Sequence, residues 1–535
     1  MRSLSEAFAQ AERWRYILED FTPFSESLEW RLSERHWQCH GVSSFVDGTV
    51  PFTINNTGQL SIQAAALLFA NCMEAVPSGP LQLLEVGAGT GLFARYLLDE
   101  FQRLCLEGGR DFYSRLLFHI TDTSPRTVEQ WRELDVFGPH GKQVCLAVAG
   151  AADPPRAGPF QAVFANYVLD LLPAAVLRRR GGIWQELHAR TWIRRDSRLP
   201  TGLGLEHIRQ RVRRGELDDL LPLIPVIETD EEYLNAEPVD PRQLLPDAPD
   251  TGPMLFNHGA FDSLDTLLGG LASSGFVLVN DYAGGPVEAG QRGSTAQRFG
   301  RTMAVGLDFA LLDKYAQHAG VALVAPPGDS ELPIHPRLLT RAKLGRTERT
   351  FTSLFSADAY RACEQPAVEA KRLIGQGLFR EALDGYRRAI ERNCYDWQRL
   401  TQAARLIAFS LGDPESALPF AQAAGERNAW YSPAVWNTLG QIHGALGQHE
   451  ASLDCHRRAL DVNPNDAETN LLLGRCWLKQ GEAARCLECI ARGLANDREQ
   501  RWRHDFLDLQ TEAMNALLKS WNAEYESAAR RLRLC

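Results

Sequence analysis

Leu81–Phe101 reads LQLLEVGAGTGLFARYLLDEF. A short apolar run, Leu81 to Val86, leads into three glycines at alternate positions, Gly87, Gly89 and Gly91. A helical pattern follows, with Leu92, Tyr96 and Leu97 on one face. Strand, glycine turn and helix is how α/β folds bring backbone against a nucleotide-like ligand. Glycine permits positive φ and lets a ligand sit against bare main chain.

The spacing narrows the choice of ligand. A dinucleotide fingerprint, G-x-G-x-x-G, places its third glycine three residues after the second, and here the gap is two. The Gly-Lys-Ser/Thr ending of a P-loop is missing. Glu85 lies just before the glycines, where it would repel a pyrophosphate but suit a cation. S-adenosyl-L-methionine (SAM) carries an ammonium and a sulfonium and no phosphate. The pattern E-x-G-x-G-x-G resembles the first motif of Rossmann-like, class I SAM-dependent methyltransferases. The alternative is a glycine-rich βα turn that holds no ligand.

At 535 residues the chain is long enough for several domains of roughly 100–200 residues each. Hydrophobic residues make up 44% and charged residues 23%, a globular composition. A net charge of −10 argues against a general nucleic-acid binder. The 11 cysteines are scattered, and the odd count suits a reducing compartment. The first residues, MRSLSEAFAQAERWRY, carry Glu6 and Glu12 and no long apolar core, so they read as neither secretory signal nor transit peptide. No apolar run is long enough for a membrane span. The expectation is a cytoplasmic protein.

Residues 1–80 read as a helical leading segment with a loop inside it. Phe8, Trp14 and Leu18 fit one helical face that Pro23 ends. Residues 42–59 read as a loop or short strands, and Leu60–Val76 as a helix. A methyltransferase-type α/β domain then occupies 81–356, with strands at Leu81–Val86, Leu116–Ile120, Val144–Val148, Phe160–Asn166 and Phe276–Asn280, and a final strand at Val321–Val324. Asp122 ends the second strand, where a carboxylate accepts bonds from ribose hydroxyls. The rival reading is helix capping, since Ser124-Pro125 opens a new helix. Asp153, after the third strand, either reaches the adenine or is a plain surface acid. Asn166 and Tyr167, ending the fourth strand, fall near the reacting methyl group. Residues 178–253 form an insertion at a place from which it could cover the site. Within it, Ile183–Trp192 reads as extended, Glu206–Leu221 as helical, and five prolines between Pro238 and Pro253 as irregular.

The segments EVGAGTG, ITDTSPRTVEQW, ANYVLDLLP, VLVNDYAGG and VGLDFALL occur in the order seen in MidA-type SAM-dependent methyltransferases, which residues 40–330 resemble. That family includes a complex I assembly factor that modifies a protein arginine. The resemblance implies SAM as cofactor, held by Glu85, Gly87, Gly89, Gly91 and Asp122. Asn166, Asp170 and Pro173 fit the family's Asn-Glu-x-x-Asp-x-x-Pro pattern, but Tyr167 stands at its Glu. A carboxylate there would orient a guanidinium by bidentate bonds, which a phenol does not do. Phe52-Thr53-Ile54-Asn55-Asn56 departs from the family's Phe-x-Thr-Ser-Pro, and Gly306 replaces a histidine before Leu307-Asp308-Phe309. Tyr167, Asp170 and Asp281 are the polar candidates for catalysis.

From about Pro366 the texture changes to self-similarity at about 34 residues, the tetratricopeptide (TPR) period. Trp436, Leu439-Gly440, Gly447, Ala459-Leu460 and Pro464 match that pattern, and Leu473-Gly474, Gly481 and Leu494 follow it. Earlier units contain Gly377, Phe379, Ala382, Tyr386 and Ala389, then Gly412, Ala417, Phe420 and Ala424. The expected organisation is an all-α array of about four repeats over 360–500, with a capping helix at 501–535. Repeat position places Asn437, Gln441, Arg475 and Lys479 in a concave groove for a protein or peptide, or else merely in solvent. Cys486 and Cys489 fall at helix core positions without a second pair, so no metal is expected.

Three functions compete. The first is a SAM-dependent methyltransferase acting on a protein that the repeats recruit. The second is a non-catalytic scaffold with a vestigial methyltransferase fold, which Tyr167 favours. The third is methylation of a small molecule.

Overall fold

The computed structural model describes residues 14–46, 54–156, 158–197, 199, 202–284, 297–299, 301–428, 430–497 and 499–533. Phe8 and the Phe52-Thr53 pair lie outside them. Two compact units emerge, one holding most of the chain to Tyr360, the other Arg361 onward with the short pieces 45–48 and 57–59.

The first unit opens on strand β1 (Arg15–Pro23), followed by helices Leu28–His40 and Gln59–Ala75. Next come β2 (Leu81–Val86), helix Leu92–Glu107, β3 (Leu116–Asp122), helix Pro125–Glu133, β4 (Val144–Val148) and β5 (Phe160–Asn166). Then follow β6 (Ala175–Arg180), β7 (Ile183–Arg194), helix Leu205–Arg214, β8 (Ile227–Asn235) and β9 (Thr251–Phe256). The rest is helix His258–Gly269, β10 (Leu271–Asp281), the hairpin β11 (Gln297–Phe299) and β12 (Thr302–Ala304), helix Phe309–His318, β13 (Ala322–Val324), β14 (His335–Thr340) and helix Gly345–Leu354.

Seven strands form one sheet in the order β4-β3-β2-β5-β10-β14-β13. Only β14 runs against the others. The strand expected to close the domain is therefore not its last. β14 inserts between β10 and β13, and its His-Pro start hid it from the pattern. Because helices cover both faces, β2 and β5 are buried almost continuously rather than at alternate residues. On one face Leu84, Val86, Val163, Ala165, Val277 and Val279 pack against Leu264, Leu268, Leu311 and Leu312. On the other, Phe164 meets Phe93, Phe118 and Phe276 edge to face, with centroids 5.4, 5.9 and 6.1 Å away.

A second, antiparallel sheet is built on β7, which pairs with β1, β6 and β8, while β6 also pairs with β9. The insertion is thus a sheet of its own, completed by a strand from the leading segment. This corrects the helix read over Trp14 and Leu18. A spacing of four satisfies both periods, since i and i+4 share a face in a helix and in a strand. Pairing with β7, from Arg15↔Arg194 to Pro23↔His188, decides for the strand. Residues 43–46 and 54–57 form short helical turns, not strands. The expected helix at Glu206–Leu221 stops at Arg214, and a 3₁₀ stretch, Asp218–Val226, carries the rest.

The second unit is all helical. Helices Phe379–Arg392, Trp397–Arg405, Pro414–Arg427, Pro433–Ala445, His449–Val462, Ala467–Lys479 and Ala483–Asn496 precede the long helix Arg503–Arg533. Pro433 to Ala467 and His449 to Ala483 step by the repeat period, and small residues set the approach. A π-helical turn, Leu406–Ser410, interrupts the unit whose repeat pattern is weakest. In the final helix Phe506, Leu509 and Ala513 are buried, while Trp521 is 61% exposed, so only its first half packs on the repeats.

A Cβ at Gly493 would land on the Phe506 ring. Helix propensity alone favours Gly→Ala by about 1 kcal/mol. Overpacking reverses the sign, so Gly493→Ala should destabilise the helical unit by about 1–3 kcal/mol. Urea unfolding followed by far-UV circular dichroism checks it, and a stabilised variant would contradict the contact.

Candidate functional site

The sheet order reverses between β2 and β5, and their C-terminal ends open the crevice where doubly wound folds bind ligands. Gly87, Gly89 and Gly91 turn the chain there with φ of 66°, 53° and 77°. A Cβ on Gly87 would lie 2.7 Å from Val168 Cγ2, so the turn packs against the segment after β5. A Cβ on Gly91 would lie 3.0 Å from Phe137 Cζ and 3.1 Å from Trp131 Nε1. Gly91 thus serves packing as well as conformation. Trp131 Nε1 donates to Gly89 O at 3.0 Å, and Thr90 Oγ1 donates to Asn56 Oδ1 at 2.7 Å. The sequence marked Asn56 only as part of a departure from the resembled pattern, and gave Trp131 and Thr90 no role. Trp131 closes the motif ITDTSPRTVEQW, and that position was its only signal.

Ser124 is the helix cap, and Asp122 is bonded to backbone through both carboxyl oxygens. Its Oδ2 accepts from Gly89 N at 3.0 Å and its Oδ1 from Ser124 N at 2.9 Å, while Ser124 Oγ caps Thr127 N. Burial pushes its carboxyl up to about 6 against the pull of the Ser124 and Gly89 amides. Asp153 is exposed in the turn after β4.

Register places a polar floor under the turn. Glu85 pairs with Ile120 and Phe164, and Asn166 pairs with Asn280. Side chains two apart share a face, so Glu85, Asp122, Asn166 and Asn280 all project on the same side. Glu85, Asn166 and Asn280 are 1%, 4% and 0% exposed. Asn280 Nδ2 donates to Asn166 Oδ1 at 2.7 Å. Glu85 Oε2, Asn166 Nδ2 and Asn280 Oδ1 remain without hydrogen-bond partners. Burial pushes Glu85 up to about 8, partly offset by the Asn166 amide and reinforced by Asp122. Orphaned buried polar atoms carry a cost that a bound group removes. Two open acceptors and one donor beside a bare glycine turn fit a ligand with a cationic end and no phosphate.

The catalytic candidates divide. Tyr167 is half-buried at the end of β5 in a left-handed conformation, φ 55°, rare outside glycine. Its N–H donates to Asn280 O at 2.8 Å, and its ring centroid lies 5.2 Å from that of Tyr282. Asp170 and Asp281 are instead 3% and 0% exposed. Asp281 Oδ2 accepts from Leu169 N at 3.1 Å and Asp170 N at 3.2 Å, and its Oδ1 from Tyr282 N at 3.0 Å. The Asp281 carboxyl therefore holds the turn after β5, and the Asp170 carboxyl is buried beside it with Oδ1 unpartnered. Gly306, where a histidine was anticipated, has no room for a side chain. A Cβ there would lie 2.5 Å from Gly284 Cα.

In the helical unit Gln441, Arg475 and Lys479 line one cavity of about 330 Å³, with Phe409 from the π-helical turn, His449 and Cys476. Arg475 also donates to Asp505 at 2.7 Å. Asn437 is the correction, because it is 1% exposed and donates to Thr469 Oγ1 at 2.9 Å, tying successive repeats together. Cys486 and Cys489 are buried in the repeat core. Among the described residues no group of three or more His, Cys, Asp or Glu could hold a metal ion, and no helix is long and apolar enough to cross a membrane.

Burial and mutual repulsion hold a proton on the Asp170–Asp281 pair above the usual carboxylate range, with Asp170 at about 6. Raised folded values mean that this contribution is full below pH ~4 and lost as pH rises through about 6. Asp170→Asn removes the titration. Relative to the unaltered protein, it should gain roughly 1–3 kcal/mol between about pH 5 and pH 8, read as a change in the difference of melting temperatures. A pH-independent difference would show that the pair is ionised throughout.

Residues 64–305 match the family model described as "Putative S-adenosyl-L-methionine-dependent methyltransferase", whose cofactor the floor and turn fit. No curated protein matches the chain. A Burkholderia thailandensis protein solved with S-adenosyl-homocysteine is 16% identical, over 61% of this chain and 78% of that one, with a TM-score of 0.38. A thermophilic TPR protein of Thermus thermophilus is 23% identical, over 32% of this chain and 96% of that one, with a TM-score of 0.26. MamA is 16% identical over 32% and 96%, with a TM-score of 0.24. At such scores these likenesses add no argument. The α/β unit is methyltransferase-like on its own sheet order and on the family model, and SAM is the cofactor that family implies.

Proposed function

We propose that the chain is a SAM-dependent methyltransferase of MidA type, acting on a protein that the helical repeats recruit. One observation carries the reading. The crevice at the strand reversal unites a bare glycine turn, the ribose-side carboxylate of Asp122 and a buried floor with unsatisfied acceptors. Bound SAM supplies an electrophilic methyl on sulfur. The protein's part is alignment of donor and acceptor in a dry site.

Gly87 and Gly89 give the turn its left-handed backbone, which Asp122 and Trp131 hold at Gly89. Asp122, already bonded to Gly89, presents its remaining lone pairs to ribose hydroxyls. Tyr167 and Tyr282 form the wall beside the end of β5, with the Tyr282 phenol pushed up to about 12 by burial and by Asp170 and Asp281. With Asp281 tied to backbone and Asp170 buried beside it, the acceptor meets phenols and ring faces rather than a bidentate carboxylate. A guanidinium is thus a weaker fit than the resemblance alone implies. The cavity lined by Gln441, Arg475 and Lys479 supports recruitment of a protein segment.

Tyr167 also favours a second reading, a scaffold that binds SAM without transferring its methyl group. Isothermal titration with SAM should show binding. Gly89→Asp should weaken it at least about 100-fold, because a carboxylate would fill the backbone approach. Unchanged affinity would relocate the site. Isotopically labelled SAM in a lysate should then label protein. Label in small molecules alone would remove the protein acceptor, and no label would leave the scaffold.

A further inference from the structure

At 31 residues the final helix, Arg503–Arg533, is more than twice the length of the 14-residue repeat helix before it. Its first turns bury Phe506, Leu509 and Ala513. A different set of side chains recurs along it in steps of four and three: Leu507, Thr511, Met514, Leu518, Trp521 and Tyr525. That is a heptad seam, the period at which two helices wind round each other. It lies about a third of a turn round the helix from the face docked on the repeats. Leu507, Met514, Leu518, Trp521 and Tyr525 are 45%, 51%, 52%, 61% and 76% exposed. Among the described residues, the large exposed apolar side chains of this helix all fall on that one stripe. Single exposed apolar side chains are ordinary, whereas a stripe about 27 Å long marks an interface.

The occupant that fits this stripe is a second copy of the same helix. In paired helices the charges beside the seam choose the partner. Here the flanking positions between Asp508 and Glu524 are Gln510, Asn515, Leu517 and Asn522, none of them charged. The helix therefore neither selects a charged partner nor repels itself. The seam is also complementary to its own reverse. About a two-fold axis level with Ala516, Leu507 faces Tyr525 of the second copy, Met514 faces Leu518 and Thr511 faces Trp521. The bulkiest seam residue thus meets the smallest, as facing layers of a packed core require. Leu517 meets its own mate and widens the apolar strip, while Asp508 and Glu524 face Asn522 and Gln510, so no like charges oppose each other there. A parallel pair would instead stack Trp521 on Trp521 and Thr511 on Thr511.

We propose that the exposed seam of helix Arg503–Arg533 joins two copies of the chain as an antiparallel two-stranded coiled coil, level at Ala516. Each copy covers all six seam positions of the other, and the contact is isologous, so the particle closes at two. The pairing is independent of the SAM reading. It brings two repeat arrays, each with its Arg475 and Lys479 cavity, into one particle. A protein carrying two recruited segments is then held more tightly than one carrying a single segment.

The test is sedimentation equilibrium of the full chain, one copy of which weighs 59.7 kDa. Twice that mass is expected at about 10 µM chain. Met514→Glu and Leu518→Lys should each raise the dissociation constant at least about 100-fold, with the melting temperature kept because both side chains are exposed. Lys519→Glu, on the same turn but off the seam, should leave it unchanged. An equal mixture of the Met514→Glu and Leu518→Lys chains should associate at least about tenfold more tightly than either alone, because the facing layers are then Glu–Lys and Leu–Met. A single-copy mass for the unaltered chain up to about 100 µM overturns the proposal, whatever the variants do, and leaves the stripe to a helix of another protein. A dimer indifferent to both Met514→Glu and Leu518→Lys overturns it too, by placing the contact elsewhere. A dimer that both variants break and their mixture does not restore overturns the antiparallel register.

Discussion

Asp122 is the residue on which the crevice depends. One carboxylate accepts from Gly89 N and from Ser124 N, so it joins the glycine turn after β2 to the helix start after β3. Each bond to a charged acceptor contributes about 1.5–3 kcal/mol. Trp131, from the same helix, closes the arrangement by donating to Gly89 O. A glycine turn is soft by nature, and here three neighbouring groups remove its freedom. Behind the turn lies a buried polar edge of Glu85, Asn166 and Asn280.

The same logic governs the strand next to it. Asp281 ties down the turn after β5, which lets Tyr167 hold a left-handed conformation at the mouth. A strained residue needs surroundings that over-determine it. The buried carboxyl pair, the amide bond from Tyr167 N to Asn280 O and the Tyr282 ring supply them. The departure from the resembled pattern at Tyr167 therefore sits in a built wall, not in a decayed loop.

Local signals were enough for much of the α/β half. β5 begins and ends where its apolar run does, because a strand buried on both faces has little freedom to shift. The period of the helical repeats was legible for the same reason, since each pair needs the next to cover it. Two elements misled. Trp14 to Leu18 has a spacing shared by helix and strand, and only the partner β7 settled it. Asn437 occupies a groove position by count, yet its amide finds Thr469 across the repeat boundary.

The sequence by itself determined the glycine turn, the acid before it, the parallel strands β2, β3, β4, β5 and β10 and the repeat period, since these rest on contacts local in the chain or on runs of one polarity. Tertiary structure alone decided that β14 inserts antiparallel, that Asp170 and Asp281 face each other, and that Asn280 bonds Asn166. Those outcomes depend on register between strands far apart in sequence, and a parallel sheet sets register only once its helices have packed.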